Sequence, residues 1–451
     1  MSAVTPLHPD VPAADLAAWW MPFTHNRYYK AHPRLIVGGQ GCYYKLADGR
    51  KVFDGLSGLW CCPLGHAHPA IVAAIQRQVE TLDYCPGFQL GHPAAFSLAR
   101  KIVNLASRPK DHVFFVNSGS EAVDTALKMA IAYHRARGEA SRTRFIGREK
   151  GYHGVGLGGT SVGGISPNRK AFNTMMIPGV DHLPHTWNPE FMRFSRGQPT
   201  WGTHLADELE RLVALHDAST IAAVIVEPVQ GSAGVIVPPV GYLDRLREIC
   251  SRHGILLIFD EVITGYGRLG KPFGADYFGV MPDLTTFAKA VDNGVVPLGG
   301  VIVKDEMYQA MMTGPAHAIE FFHGYTYSGH PLAVAAAHAT LDTMEKDRLI
   351  ERAAKMAPMF EQLIHSLQGE PHVTDIRNIG LAGAIDLAPI PGQPGLRTMR
   401  VFERALDEGM LVRMAGESIS LAPQFIATET EVKDLVEGLR RALRATANVT
   451  S

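Results

Sequence analysis

The sequence predicts an α/β protein: a large domain on a mostly parallel sheet with helices on both faces, joined to a smaller α+β domain. Three observations carry this. Through the middle of the chain, short apolar runs alternate with amphipathic stretches at helical spacing. The runs are apolar at every position, as a strand covered on both faces requires. After about residue 335 the texture changes to helix, short strands and a Pro/Gly break, "LAPIPGQPG" at 387–395.

In chain order, "IVGGQGCYYKLADGRKVFDG" reads as a hairpin turning at Asp48-Gly49. "HVFFV" (112–116) is a strand, and "SEAVDTALKMAIAYHRARG" (120–138) a helix. In that helix Val123, Ala126, Leu127, Ala130 and Tyr133 keep the i, i+3, i+4 spacing of one buried face. "AAVIVEP" (222–228) and "ILLIFDEV" are strands separated by the helix "GYLDRLREICSRHG" (241–254), and "GGVIVKDE" (299–306) is another strand. The expected division is an N-terminal segment, 1–70, packing with the small domain; a large domain, 71–335; and a C-terminal α+β domain, 336–451.

Composition removes several function classes. The 451 residues are 46% apolar and 19% charged, with 43 Lys plus Arg against 44 Asp plus Glu and a net charge of −1. That balance gives no electrostatic case for nucleic acid or an anionic membrane. No apolar run approaches the roughly 20 residues that span a bilayer. The first twenty residues lack the basic and apolar regions of a signal peptide. The cysteines, Cys42, Cys61, Cys62, Cys85 and Cys250, are odd in number with two adjacent. This suits a reducing cytoplasm better than a disulfide framework.

Three fragments carry chemistry. In "VNSGSEAVDTALK" a strand ends at Val116 and a helix begins at Ser120 or Glu121. Unpaired N–H groups and the helix dipole favour an anion there, with Gly119 allowing close approach and Ser118 and Ser120 adding hydroxyls. A plain helix cap by Ser120 is the alternative. In "GILLIFDEVITGYGRLG" (254–270) a buried strand ends on Asp260 and Glu261, which demands a positive partner. In "TTFAKAVDNGVVPLGG" (285–300) Lys289 stands among apolar residues, where desolvation lowers an amine's pKa and makes it a nucleophile for a carbonyl. A snorkelling surface lysine is the alternative. "REKGYHGVGLGGTSVGG" (148–164) adds Tyr152 and His153 at the mouth of a glycine-rich loop, where an aromatic ring could stack on a flat ligand. It does not fit a dinucleotide fingerprint. Together, an anion-binding helix start, an acid at a strand end and a buried lysine describe a site for pyridoxal phosphate. The acid there would pair with the ring nitrogen.

The chain resembles the class III, fold-type I aminotransferases, and among them the ω-amino acid:pyruvate (β-alanine:pyruvate) enzymes, from about Trp20 to about residue 445. The resemblance rests on "MPFTHNR", "GLSGLWC", "PGFQLGHP", "FFVNSGSEAVDTALK", "GYHGVG", "SVGGISPNRK", "DHLPHT", "AAVIVEPVQGSAG", "LLIFDEVITGYGRLG", "TFAKAV", "IEFFHGYTYSGHPLA" and "MLVRMAGESISLAP". It implies a seven-stranded sheet in the large domain and a ping-pong transfer of an amino group from an ω-amino acid or amine to pyruvate. It implies Lys289 as the Schiff-base and proton-shuttling lysine, Asp260 as the partner of the pyridine nitrogen and Tyr152 as the ring-stacking aromatic. Ser118, Gly119 and Ser120 would cradle the phosphate, and Val262 would touch the cofactor. Thr326 would reach the phosphate of a neighbouring subunit, which implies a homodimer or homotetramer with shared sites. Phe23, Leu59, Trp60 and Phe88 would wall the substrate pocket, Phe88 from the partner. Arg413 would clamp the substrate carboxylate, and Glu261 would serve a structural network.

Two positions depart from many relatives. Ser232 stands where those acting on ornithine or 4-aminobutyrate carry a Glu that pairs with the arginine. Ile263 stands where some have a Gln near the cofactor's phenolic oxygen. The rival readings are another class III reaction (a 4-aminobutyrate or diamine transaminase, or an aminomutase) and a non-catalytic binding protein on the same fold. The pairs His66/His68 and His182/His185 invite a metal reading, but no cysteine pair or carboxylate stands at a metal-site spacing. Cys61-Cys62 reads as packing near the pocket.

Overall fold

The computed structural model describes residue 11 and residues 13–448. Its centre is a seven-stranded sheet. In spatial order the strands are His112–Val116, Gly299–Val303, Leu284–Phe287, Leu256–Asp260, Ile221–Val226, Arg144–Arg148 and Val180–Leu183. All neighbours are parallel except Gly299–Val303, which runs antiparallel to both strands beside it. The three strands Ile221–Val226, Leu256–Asp260 and Leu284–Phe287 are buried at every position. This is the mostly parallel, doubly covered sheet expected from the apolar runs, with the seven strands that the resemblance implies.

The long helix after the first strand spans Gly119–Ala136 and begins one residue earlier than expected. Ser118, not Ser120, is its capping residue: its Oγ accepts a hydrogen bond from the Glu121 amide at 3.1 Å. Glu121 reaches back to accept from the Asn117 amide at 2.7 Å. Ser118-x-x-Glu121 thus closes the helix start on itself, and the Ser120 hydroxyl is left for another partner.

The N-terminal stretch forms three strands, Ile36–Gln40, Tyr43–Leu46 and Lys51–Asp54, with the expected turn at Asp48-Gly49 between the last two. A short strand from the other end of the chain, Met410–Leu411, extends this sheet in parallel beside Lys51–Asp54. A third sheet holds Val373–Ile379, Ala382–Leu387, Ser418–Leu421 and Arg413–Ala415. The expected divisions at residues 70 and 335 fall inside two helices, Pro69–Thr81 and Pro331–Lys346, which pack on each other. Among the described residues no helix is long and apolar enough to cross a membrane.

Candidate active site

Asp260, Lys289, Tyr152 and the turn Ser118–Ser120 lie at the carboxyl ends of strands of the central sheet. This is where an open α/β sheet offers its crevice. Asp260, the last residue of its strand, is 6% exposed. Its Oδ1 accepts from the Val262 amide and the Thr286 hydroxyl, each at 3.2 Å, and its Oδ2 lies 2.8 Å from His153 Nδ1. The sequence reading supplied a pyridinium as the partner of this acid; within the chain the partner is His153. A carboxylate oxygen accepts two hydrogen bonds, so Oδ2 keeps capacity for a second donor. His153 is buried, and its Nε2 has no partner among the described residues.

Glu261 points the other way. It is fully buried, and its carboxylate accepts from the Gly274 amide, the Ala275 amide at 2.8 Å and the Thr264 hydroxyl at 2.9 Å. It therefore caps the turn of helix Gly274–Phe278. Burial pushes its carboxyl up to about 7, against the pull of those donors.

Lys289 opens a short helical turn after the strand Leu284–Phe287, with φ 53. The left-handed conformation is strained for any side chain with a Cβ. Its amine makes no hydrogen bond or ion pair among the described residues. Burial lowers its pKa, opposed by Cys61, Asp260 and Glu227 and reinforced by Arg413. Cys61 is thus part of the lysine's surroundings; the Gly294 that follows packs against it so closely that an added Cβ would lie 2.7 Å from Cys61 Cβ.

At the helix start, the amides of Gly119 and Ser120 have no hydrogen-bond partner among the described residues. A Cβ on Gly119 would lie 3.0 Å from both γ-methyls of Val262, so glycine lets the Asp260 loop close over the helix end. Ser120 Oγ accepts from the Val155 amide at 3.1 Å, tying the glycine-rich loop to the helix start. Tyr152, on the same loop, is held by its amide, which donates to Glu227 Oε1 at 2.9 Å. Glu227 also accepts from the Gly231 amide at 3.1 Å, and burial pushes it up to about 7. Glu227 carries the same sequence signal as Asp260, a carboxylate at the end of an apolar strand, and belongs to the site although the expected site does not include it.

Ser232 is partly buried in the turn beyond Glu227, and Ile263 packs over the neighbouring Gly231, where an added Cβ would lie 2.6 Å from its Cδ1. Leu59, Phe23 and Arg413 line one cavity of about 460 Å³. Arg413 has no ion pair among the described residues, and it is close enough to Tyr152 and Lys289 to shift both. Trp60 is placed differently: it is 4% exposed, buried with Leu56, Val235 and Ile379, with the Arg268 guanidinium 5.9 Å from its ring centroid. Phe88 and Thr326 lie on exposed segments that pack on each other. Tyr84 Oη donates to Thr326 O at 3.0 Å, and Gly324 approaches the Phe88 ring. Of the four histidines of the metal reading, His66 is engaged with Asp54 at 2.9 Å and His182 with the Gly163 carbonyl at 2.8 Å, while His68 Nδ1 and His185 Nδ1 are buried without a partner among the described residues.

The residues present fit pyridoxal phosphate. Two amides at the helix start are free to receive an anion, an acid at a strand end keeps acceptor capacity, and an amine with a lowered pKa stands unpartnered among the described residues. The model of the class III aminotransferases matches residues 24–443. The chain belongs to that family. Among curated relatives, this aminotransferase is 54% identical over 435 residues to an omega-aminotransferase of Caulobacter vibrioides, covering 96% of this chain and 99% of the relative. It is 52% identical over 436 residues to a beta-alanine–pyruvate aminotransferase of Pseudomonas aeruginosa, covering 96% and 97%. Among solved structures, an omega transaminase from Pseudomonas jessenii in complex with PMP superposes with a TM-score of 0.90 at 31% identity, covering 98% of this chain and 99% of that one. A PLP-bound amine transaminase from an uncultivated Pseudomonas species gives 0.88 at 37% identity, covering 96% and 99%. The protein is a pyridoxal phosphate-dependent aminotransferase.

Proposed function

We propose that this aminotransferase moves the amino group of an ω-amino acid or amine of the β-alanine type onto pyruvate, giving alanine and an aldehyde or ketone. The observation that carries the reading is Arg413: a guanidinium beside Lys289 and Tyr152 with no carboxylate partner among the described residues, and Ser232 at the position where an arginine-holding Glu would stand. When bound, pyridoxal phosphate supplies the electron sink that acidifies the carbon bearing the amine. The chain's own residues do the rest. Lys289 Nζ, deprotonated more readily in its buried setting, takes the proton from that carbon and returns it. Asp260, oriented by His153 and Thr286, would hold positive charge at the ring nitrogen. Gly119, Ser120 and Ser118 would hold the phosphate, with Val262 beside it, and Tyr152 would stack on the ring. Arg413 clamps an α-carboxylate through two parallel hydrogen bonds and withdraws for a donor that lacks one.

A donor screen against pyruvate, read as alanine formed, tests the reading. Turnover with β-alanine and simple amines supports it. Turnover with 2-oxoglutarate but not pyruvate points to the 4-aminobutyrate class, diamines as the preferred donors point to a diamine transaminase, and isomerisation without an acceptor points to an aminomutase. No turnover with bound cofactor points to a binding protein.

We also propose a homodimer, or a tetramer built from it, acting in the cytoplasm. An exposed apolar surface supports the assembly: Phe88, Leu90, Phe96, Ile319, Phe322 and Tyr327 are 51–85% exposed. A patch of this kind marks an interface. Phe88 and Thr326 on it would complete the site of the second copy. Sedimentation equilibrium at monomer mass would refute this. The five cysteines, all unpaired, suit a reducing compartment.

A further inference from the structure

The cavity that begins beside Leu59 and Arg413 does not end there. It runs on between the N-terminal segment and helix Leu396–Asp407, to a total of about 460 Å³. Its walls are apolar, with Leu56, Met399, Phe402 and Leu406 continuing from Phe23 and Leu59. Its polar lining includes Tyr28, Arg34 and Glu403. There Tyr28 Oη donates to Glu403, while Arg400 Nη1 lies 3.3 Å and Arg34 Nη1 3.9 Å from the same carboxylate. Two guanidinium groups against one carboxylate leave a net positive charge.

Of the two, Arg34 lines the cavity. Among the described residues it makes a single long hydrogen bond, to the His32 carbonyl at 3.4 Å, and no bidentate pair. Its guanidinium is held over the rings of Tyr29 and Phe402, 5.3 and 5.5 Å from their centroids. A planar fork fixed over aromatic faces with free donors is suited to a carboxylate. The cavity lining thus includes two arginines, Arg34 and Arg413, among mostly hydrocarbon side chains.

We propose that this cavity seats the apolar chain of a long ω-amino acid, with Arg34 receiving the distal carboxylate. Short donors such as β-alanine stop at Arg413. The proposal rests on the transaminase reading above, and it makes Arg34 a specificity-determining residue for the length of the donor. A cavity of this volume lies within the range that encloses small ligands. Burial in it favours each added methylene by a factor of about four.

The test uses the holoenzyme with pyruvate and three donor series of matched length: ω-amino acids from β-alanine upward, n-alkylamines and α,ω-diamines. The expected result is a kcat/KM that climbs about fourfold per methylene and then levels off. At the longest lengths the ω-amino acid should exceed the matched alkylamine. Arg34→Gln should lower the ratio of long to short ω-amino acid at least tenfold, the loss of one charge-assisted pair. Met399→Trp, which fills the middle of the cavity, should shorten the length at which the rise stops. A flat profile, a diamine that outruns the ω-amino acid of equal length, or an Arg34→Gln loss equal for all donors would overturn the proposal. Absence of turnover with every donor overturns the transaminase reading alone. The cavity is then read by calorimetry of decanoate on the holoenzyme: weaker binding to Arg34→Gln supports the proposal, and equal binding refutes it.

Discussion

Gly154→Ala should loosen the cofactor without touching any group that does chemistry. Gly154 lies in the glycine-rich loop at φ 88, and a Cβ there would lie 2.6 Å from Ser120 Cα and 2.8 Å from Ser120 Cβ. Because one of these atoms is backbone, the helix start must move. Two costs add. The left-handed conformation costs a non-glycine residue about 1–2 kcal/mol. Displacing Ser120 also forfeits its hydrogen bond from the Val155 amide, and it turns a free amide away from the anion it would hold. A hydrogen bond to a charged group is worth about 1.5–3 kcal/mol, so cofactor affinity should fall roughly 10- to 100-fold. The control is Gly138→Ala. Gly138 has φ 79, yet nothing lies within 4 Å of its Cβ position. It carries the conformational cost alone. Equilibrium titration of each apo variant with pyridoxal phosphate, beside denaturation midpoints, separates the terms. Both variants should lose stability, and only Gly154→Ala should lose affinity. Equal affinities in the two variants would refute the argument that Ser120 and its amide form the phosphate seat.

Four further outcomes follow from the site. Lys289→Ala should abolish transamination in a steady-state alanine assay while the variant still folds, and turnover near the wild-type rate would remove Lys289 from the mechanism. Asp260→Asn, which gives up a charge worth roughly 1.5–3 kcal/mol of hydrogen bonding, should slow the half-reactions at least tenfold with cofactor retained; unchanged stopped-flow rates would dismiss it. Arg413→Ala should cost the alanine and pyruvate half-reaction about 2–5 kcal/mol and the half-reaction of a carboxylate-free amine much less, as single-turnover spectroscopy of each half would show. Burial raises the Glu261 carboxyl to about 7, so the folded protein binds this proton more tightly than the unfolded chain does, and its stabilising share is present at low pH and lost as pH rises toward 7. Denaturation curves from pH 4.5 to 8 should therefore fall more steeply, or rise less, for the wild type than for Glu261→Gln, and parallel curves would show that Glu261 does not titrate there.

How much of this was readable in advance depended on the range of each interaction. The strands were legible because an unbroken apolar run is a local signal, and Leu256–Asp260 and Ile221–Val226 are buried along their whole length. Asp260 and Lys289 were legible because a charge inside such surroundings is anomalous without knowledge of the fold. The residue that holds Asp260 was not: His153 stands 107 positions away, and only the sheet brings the two together. Glu227 directly follows its strand, as Asp260 ends its own, but its two donors belong to loops whose path no periodicity describes. Trp60 was assigned to the pocket with its neighbour Leu59. Ser57, Gly58 and Trp60 all take positive φ, and this kinked backbone leaves Leu59 half exposed and turns the indole into the core. The capping shift from Ser120 to Ser118 is a smaller instance: both serines suit the role, and Glu121, three residues after Ser118, was the distinguishing mark.

The left-handed backbone of Lys289 bears on how the enzyme tolerates change. Glycine or asparagine would sit at φ 53 with less strain than lysine, so the most stable chain at this position is an inert one. Selection for thermal resistance alone, with no demand for turnover, would drift away from the lysine. A screen for hardier variants of this aminotransferase therefore has to be coupled to activity in every round, because the site and the scaffold disagree about residue 289.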